Sequence, residues 1–153
     1  MGEHQFNQWD IERFLRLAME EAEAAAMAGD HPYGAVIVGP QGTIVATGRN
    51  GVNTDCDPTS HAETNAIRAA CQALGTLSLA GYHLFTNGAP CTMCATTILR
   101  SGIDGIWYSA PPDPGRTMPT LEDLAALVTD GAPTVVQGVL EAEASAQLAN
   151  WSA

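Results

Sequence analysis

The chain is 153 residues long, the size of one domain around one core. Apolar residues make up 46% of it and charged residues 15%, and no apolar run approaches the ~20 residues that a membrane-spanning helix needs, so no membrane partner is expected. All six basic residues are arginines, and against seventeen acids they leave a formal charge of −11; this disfavours a nucleic-acid partner, bound mainly through Lys and Arg, and the lack of lysine excludes Schiff-base and P-loop lysine chemistry.

The first residues, MGEHQFNQWDIERF, carry no basic stretch followed by an apolar one. The expectation is therefore a cytoplasmic protein with reduced cysteines. Ile11, Phe14, Leu15, Ala18 and Met19 recur at helical spacing, and Gly29 supplies a stop. Next, Ala35 to Val38 and Thr43 to Ala46 flank Gly39-Pro40-Gln41-Gly42, which predicts a hairpin. Gly48 to Asp57 reads as a loop, and Glu63, Ala66, Ile67, Ala70, Cys71 and Leu74 mark one face of a helix with His61 at its first turn.

Tyr82 to Thr86 is a predicted strand, Cys91 to Arg100 a helix and Ile106 to Tyr108 another strand. After the break at Pro111-Pro112-Asp113-Pro114-Gly115, a helix over 121–128 follows Thr120 as N-cap. Thr134 to Val136 then predicts a strand and 140–148 a last helix. There is no internal repeat. Alternating strands and helices predict one layered α/β domain over 1–153, its central sheet opening with an antiparallel pair.

Two clusters carry chemistry: Ser60-His61-Ala62-Glu63 and, thirty residues after His61, Pro90-Cys91-Thr92-Met93-Cys94. Cysteines three apart at a helix start share a face, and unpaired backbone N–H groups there favour thiolates. His61 sits at another helix start, so His61, Cys91 and Cys94 could converge on one ion. Three protein ligands leave a fourth position open, as in catalytic rather than structural zinc sites. Glu63 lies beside that position without needing to bind the metal, and can move the protons of a water that zinc has acidified.

Singly, CxxC is equally compatible with a thiol oxidoreductase or a structural zinc knuckle. Together the clusters match the H-x-E…P-C-x-x-C signature of zinc deaminases. The stretch from about Tyr33 to Tyr108 resembles the cytidine-deaminase-like superfamily, in the branch of guanine deaminases, tRNA adenosine deaminases and cytosine deaminases. Pro32-Tyr33-Gly34-Ala35-Val36, Gly48-Arg49-Asn50 and Asp57-Pro58-Thr59-Ser60-His61-Ala62-Glu63 carry the likeness, which is nearest to bacterial guanine deaminases.

The resemblance implies a three-layer α/β/α sandwich with a mixed sheet of about five strands. It also implies zinc held by His61, Cys91 and Cys94, Glu63 as proton shuttle, and Asn50 with the amide of Ala62 against the substrate. The expected partners are a small heterocyclic base and a second copy of the chain, as a homodimer. The expected reaction is hydrolytic deamination of a guanine-like base, with cytosine, a nucleoside or a triazine as alternatives and a non-catalytic zinc-stabilised binding module as the competing class. Ala89 stands where many relatives have Glu. Guanine deaminases carry one further acid downstream, for which Asp113, Glu122 and Asp123 are all candidates. Cys56 and Cys71 read as bystanders, Trp107 as core, and His31 as the one other histidine near the pocket; His4 and His83 carry no assignment.

Overall fold

The structure, a computed structural model, describes residues 6–151, so His4 lies outside the described residues. Five strands form one mixed sheet: β1 (Gly34–Val38), β2 (Ile44–Arg49), β3 (His83–Gly88), β4 (Gly105–Ala110) and β5 (Thr134–Gln137), in the order β2-β1-β3-β4-β5. The β1–β2 and β1–β3 pairs are antiparallel, whereas β3–β4 and β4–β5 are parallel. The predicted hairpin thus lies at one edge and its second strand is solvated, whereas β1, β3 and β4 are buried on both faces. That two-sided burial explains the apolar run of β1 and the Ile106-Trp107-Tyr108 run of β4; in β3 the buried polar groups are paired, Thr86 donating to the carbonyl of Gly34 and Asn87 to that of Pro32.

Helices cover both faces. On one, α1 (Gln8–Met27) presents Ile11, Phe14, Leu15 and Ala18 to Val36, Val38, Phe85 and Trp107. Phe85 and Trp107 stack at 4.7 Å, and Phe6 meets both edge-on. On the other face, Ala35, Ile37, Leu84 and Ile106 pack against α2 (Ala62–Leu74) and α3 (Thr92–Ser101). Alternation along the strands sends these side chains to opposite layers. The result is the three-layer sandwich that the resemblance implied. No helix among the described residues is long and apolar enough to cross a membrane.

Helix α2 lies almost on the backbone of β2. A Cβ on Gly48 would stand 2.3 Å from the carbonyl oxygen of Ala62 and 2.5 Å from the amide nitrogen of Ala66. Only glycine permits this approach, which sets the start of α2 at a fixed height over the sheet.

Boundaries moved where tertiary contacts intervene. β2 continues to Arg49 into the predicted loop, and β3 runs to Gly88 because β4 pairs with it as far as Ala110. α4 (Leu121–Ala125) ends earlier than its periodicity suggests, since Leu127 is exposed and finds no core. Its start is as read: Thr120 caps it, in a reciprocal capping box with Asp123. α5 (Glu141–Ala149) is fastened to β3 through Gln147, which accepts from Asn87 and donates to the carbonyl of Met19.

Candidate metal centre and active-site cavity

His61 and Cys91 occupy equivalent places, as the N-caps of α2 and α3. The two helices pack together on one face of the sheet, after strands that flank β1, and so their N-termini meet. His61 Nδ1 lies 3.4 Å from the Cys91 sulfur and 3.6 Å from that of Cys94. Cys91 Sγ also accepts from the Cys94 amide at 3.4 Å. All three donor atoms fall within 4.8 Å of one another.

This geometry fits zinc. Zn–S bonds of about 2.3 Å and Zn–N bonds of about 2.0–2.1 Å at a tetrahedral angle separate ligand atoms by roughly 3.5–3.8 Å, close to the distances found. The charges agree. Hydrogen bonding from the Cys94 thiol, with the His61 contact in support, holds Cys91 down to about 3 against the effect of burial. Its partner Cys94 is pushed up, by the bond to Cys91 and by burial. The Cys91 contact also raises His61 against the opposing effect of its own burial. One nitrogen and two sulfurs, one already acidic, make a suitable donor set for a borderline-soft ion.

Glu63, two residues into the same turn as His61, is 5% exposed. Burial raises its carboxyl to about 7, helped by the nearby Cys91 charge and opposed by the backbone amide and His61. Such a group can both accept and release a proton near neutrality.

A cavity of about 520 Å³ opens in front of this cluster, within the roughly 300–1,000 Å³ usual for small-molecule sites. His61, Glu63 and Cys91 line it together with Asn50 and Ala62, so the sequence-derived residues meet in one place apart from Cys94, which is fully buried and adjoins the cluster without lining the cavity. Asn50 is buried and its Oδ1 accepts from Val52 N at 3.1 Å, leaving its amide N–H groups for the cavity. The loop that carries Asn50 is tied down by Asp30, which accepts from the amides of Asn53 and Thr54 and from the Thr54 hydroxyl.

Of the three downstream acids, Asp113 alone lines the cavity. The Tyr108 hydroxyl lies 2.5 Å from the Glu122 carboxylate, and Asp123 is spent on its capping box. The sequence reading missed Tyr33 and Arg116. Tyr33 lay inside the quoted family stretch without being singled out, and nothing local marks Arg116. His31 does border the cavity, and its ring meets that of Trp151 at 4.4 Å. Trp107 lies in the core on the α1 side, and Cys56 is exposed and does not line the cavity.

Residues 8–110 match the family described as the cytidine and deoxycytidylate deaminase zinc-binding region. The chain is 43% identical over 100 residues to the guanine deaminase of Bacillus subtilis, covering 65% of this chain and 64% of that one. It is 35% identical over 133 residues to the tRNA-specific adenosine deaminase of Agrobacterium fabrum, covering 86% and 87%. A solved structure from work on A-to-I editing by tRNA:A34 deaminases superposes with a TM-score of 0.82 at 35% identity, over 90% of this chain and 99% of that one. Another relative, the tRNA(Ile)-lysidine synthase of Deinococcus deserti, is much longer: the chain spans 24% of its length.

Proposed function

Because the chain belongs to the cytidine and deoxycytidylate deaminase zinc-binding family, we propose that this zinc-dependent deaminase acts on a free, guanine-like base and releases ammonia. The observation that carries the guanine-like choice is Asp113, an acid on the cavity wall facing the same space as Glu63. Bound zinc supplies Lewis acidity and lowers the pKa of water. The chain's own residues do the rest. His61, Cys91 and Cys94 hold the metal. Asn50 and the Ala62 amide, an unpaired donor at a helix start, orient the ring edge. Glu63 takes a proton from the attacking water and gives it to the ring nitrogen beside the amino-bearing carbon. As the C–O bond forms and the C–N bond breaks, the carboxyls of Glu63 and Asp113 move the remaining proton to the departing nitrogen. The product is a ring carbonyl plus ammonia.

A second reading, deamination of adenosine in tRNA, is favoured by the Agrobacterium fabrum relative and the solved structure, which match over most of the chain. Charge placement supports the small substrate instead. Arg16 pairs with Glu12 and Glu143, Arg49 with Glu21, Arg68 bonds Asn65, and Arg13 lies over Trp9 and Phe14. Only Arg116 lines the cavity, which is little to hold a phosphate backbone. We take the chain to act as one cytoplasmic deaminase domain and as a homodimer. The experiment is ammonia release from guanine, cytosine, adenine, their nucleosides, a triazine and a tRNA at equal concentration. Release from guanine is expected; release from the tRNA alone would replace this reading by the second.

A further inference from the structure

We propose that Arg116 and the hydroxyl of Tyr33 form a donor pair that reads a ring carbonyl oxygen of the substrate, so that the enzyme requires an amino-oxo heterocycle rather than any aminated ring. This rests on the small-base reading above and specifies its substrate class.

Both residues line the cavity that holds Glu63 and Cys91. Tyr33 shares that cavity with Glu63, Cys91, Arg116 and Asp113, and the charges of all four bear on its phenol. Burial, reinforced by Glu63, pushes its ionisation up, so the hydroxyl keeps its proton as a donor. The ring is held by close fit, since a Cβ on Gly88 at the end of β3 would stand 2.8 Å from it. Its backbone is fixed too, with Asn50 N donating to the Tyr33 carbonyl at 3.0 Å. Among the described residues neither the Tyr33 hydroxyl nor the Arg116 guanidinium has a hydrogen bond or ion pair within the protein, although both are partly buried.

Arg116 is carried on a turn closed by its own amide donating to the Asp113 carbonyl at 3.0 Å. The turn therefore brings a forked donor and a carboxylate to the same wall. That pairing suits a ring edge bearing an amino group and a carbonyl, and the guanidinium fork matches a carbonyl with a neighbouring ring nitrogen. A phosphate is a poorer match. It would bring close to two negative charges beside Asp113 and Glu63 with one arginine to meet them.

The test uses zinc-loaded protein with guanine and with 2-aminopurine, which keeps the amino group and lacks the carbonyl. Wild type is expected to favour guanine by at least ~100-fold in kcat/KM. Arg116→Met is expected to lose about 10–100-fold on guanine, chiefly through KM, and within ~3-fold nothing on 2-aminopurine. Arg116→Lys should recover part of the loss, Tyr33→Phe should lose a smaller part, and all three variants should melt as wild type does. As a second readout, guanine binding to Glu63→Gln protein by calorimetry should weaken by the same factor when Arg116→Met is added.

Equal losses on both purines, or no loss on guanine, would overturn the inference while leaving guanine deamination standing. Tighter binding of guanosine monophosphate than of guanine, abolished by Arg116→Met, would overturn it in favour of a phosphate site. If wild type turned over neither purine and deaminated only tRNA, the inference and the reading beneath it would both fall.

Discussion

The hydroxyl of Tyr108, a buried residue within β4, meets the Glu122 carboxylate at 2.5 Å. The same hydroxyl lies 2.8 Å from Gln137 on β5. Glu122 is thus part of a structural triad that moors α4 to the sheet, and the acid left facing the cavity is Asp113.

That division predicts opposite effects for two conservative changes. Asp113→Asn should lower kcat on guanine by ~10²–10⁴-fold with little change in melting temperature. Glu122→Gln should leave kcat within a few-fold and lower stability by about 1–2 kcal/mol, because a charged hydrogen bond to a buried phenol is weakened. Steady-state kinetics beside denaturant titration checks both. Full activity in Asp113→Asn would remove the main support for a guanine-like substrate.

Metal and proton chemistry should separate cleanly. Purified protein should carry close to one zinc per chain, and Cys91→Ala should lose it together with part of its stability. Glu63→Gln should keep the zinc, because Glu63 is not among the three clustered donors. It should nevertheless lose ~10²–10⁴-fold in kcat, since an amide cannot carry protons. Elemental analysis and ammonia release on the same preparations decide the matter. A zinc-free wild type would refute the metal site.

Gly48 ties the sheet to the metal centre. A methyl group there would overlap the Ala62 carbonyl and the Ala66 amide, both of them backbone atoms that cannot turn aside. Gly48→Ala should therefore lift the start of α2, with a cost of about 1–3 kcal/mol. His61 caps that helix, and so zinc should also dissociate faster in a chelator competition. Destabilisation without weaker zinc retention would mean that the shift is absorbed elsewhere.

Asp30 supplies a pH-dependent contribution to stability. Burial pushes its carboxyl up, but the hydrogen bonds from Thr54 and Asn53 outweigh this and leave it below the ordinary value of 3.8. A depressed folded-state value means stability that is fully present above the unfolded value and lost as pH falls through the folded one. Asp30→Asn should be less stable than wild type at pH 7 by about 1–3 kcal/mol, and the gap should narrow steadily below about pH 4. A constant gap from pH 7 to pH 3 would show that the ionised form is not what the loop requires.

Much of this was legible in the chain itself, because it depends on neighbours in sequence. Helical spacing over Ile11 to Ala18, the Gly39–Gly42 turn between β-rich runs, and Thr120 before Leu121 each specify an element through local backbone physics. His61 with Glu63, and Cys91 with Cys94, are likewise local: separations of two and three at a helix start bring side chains to one end of the helix wherever that helix lies. That is why the candidate donor set and the carboxylate proposed to carry protons could be named without coordinates, and why the family resemblance rested on the same residues.

What the sequence left open was everything set by contacts between distant segments. Asp113, Glu122 and Asp123 are three similar acids in one stretch, and they part because Tyr108 takes one and Thr120 another, while the third, whose Oδ1 accepts from the Gly115 amide, sits in a turn on the cavity wall. Trp107 reads as core from the sequence, but which layer it joins is decided by strand alternation and the covering helix, which bury it against Phe85 on the α1 side. Arg116 carries no local mark at all. Its place on the cavity wall depends on where β4 ends and α4 is moored, and a loop's position is a property of the packed sheet rather than of the loop's own residues.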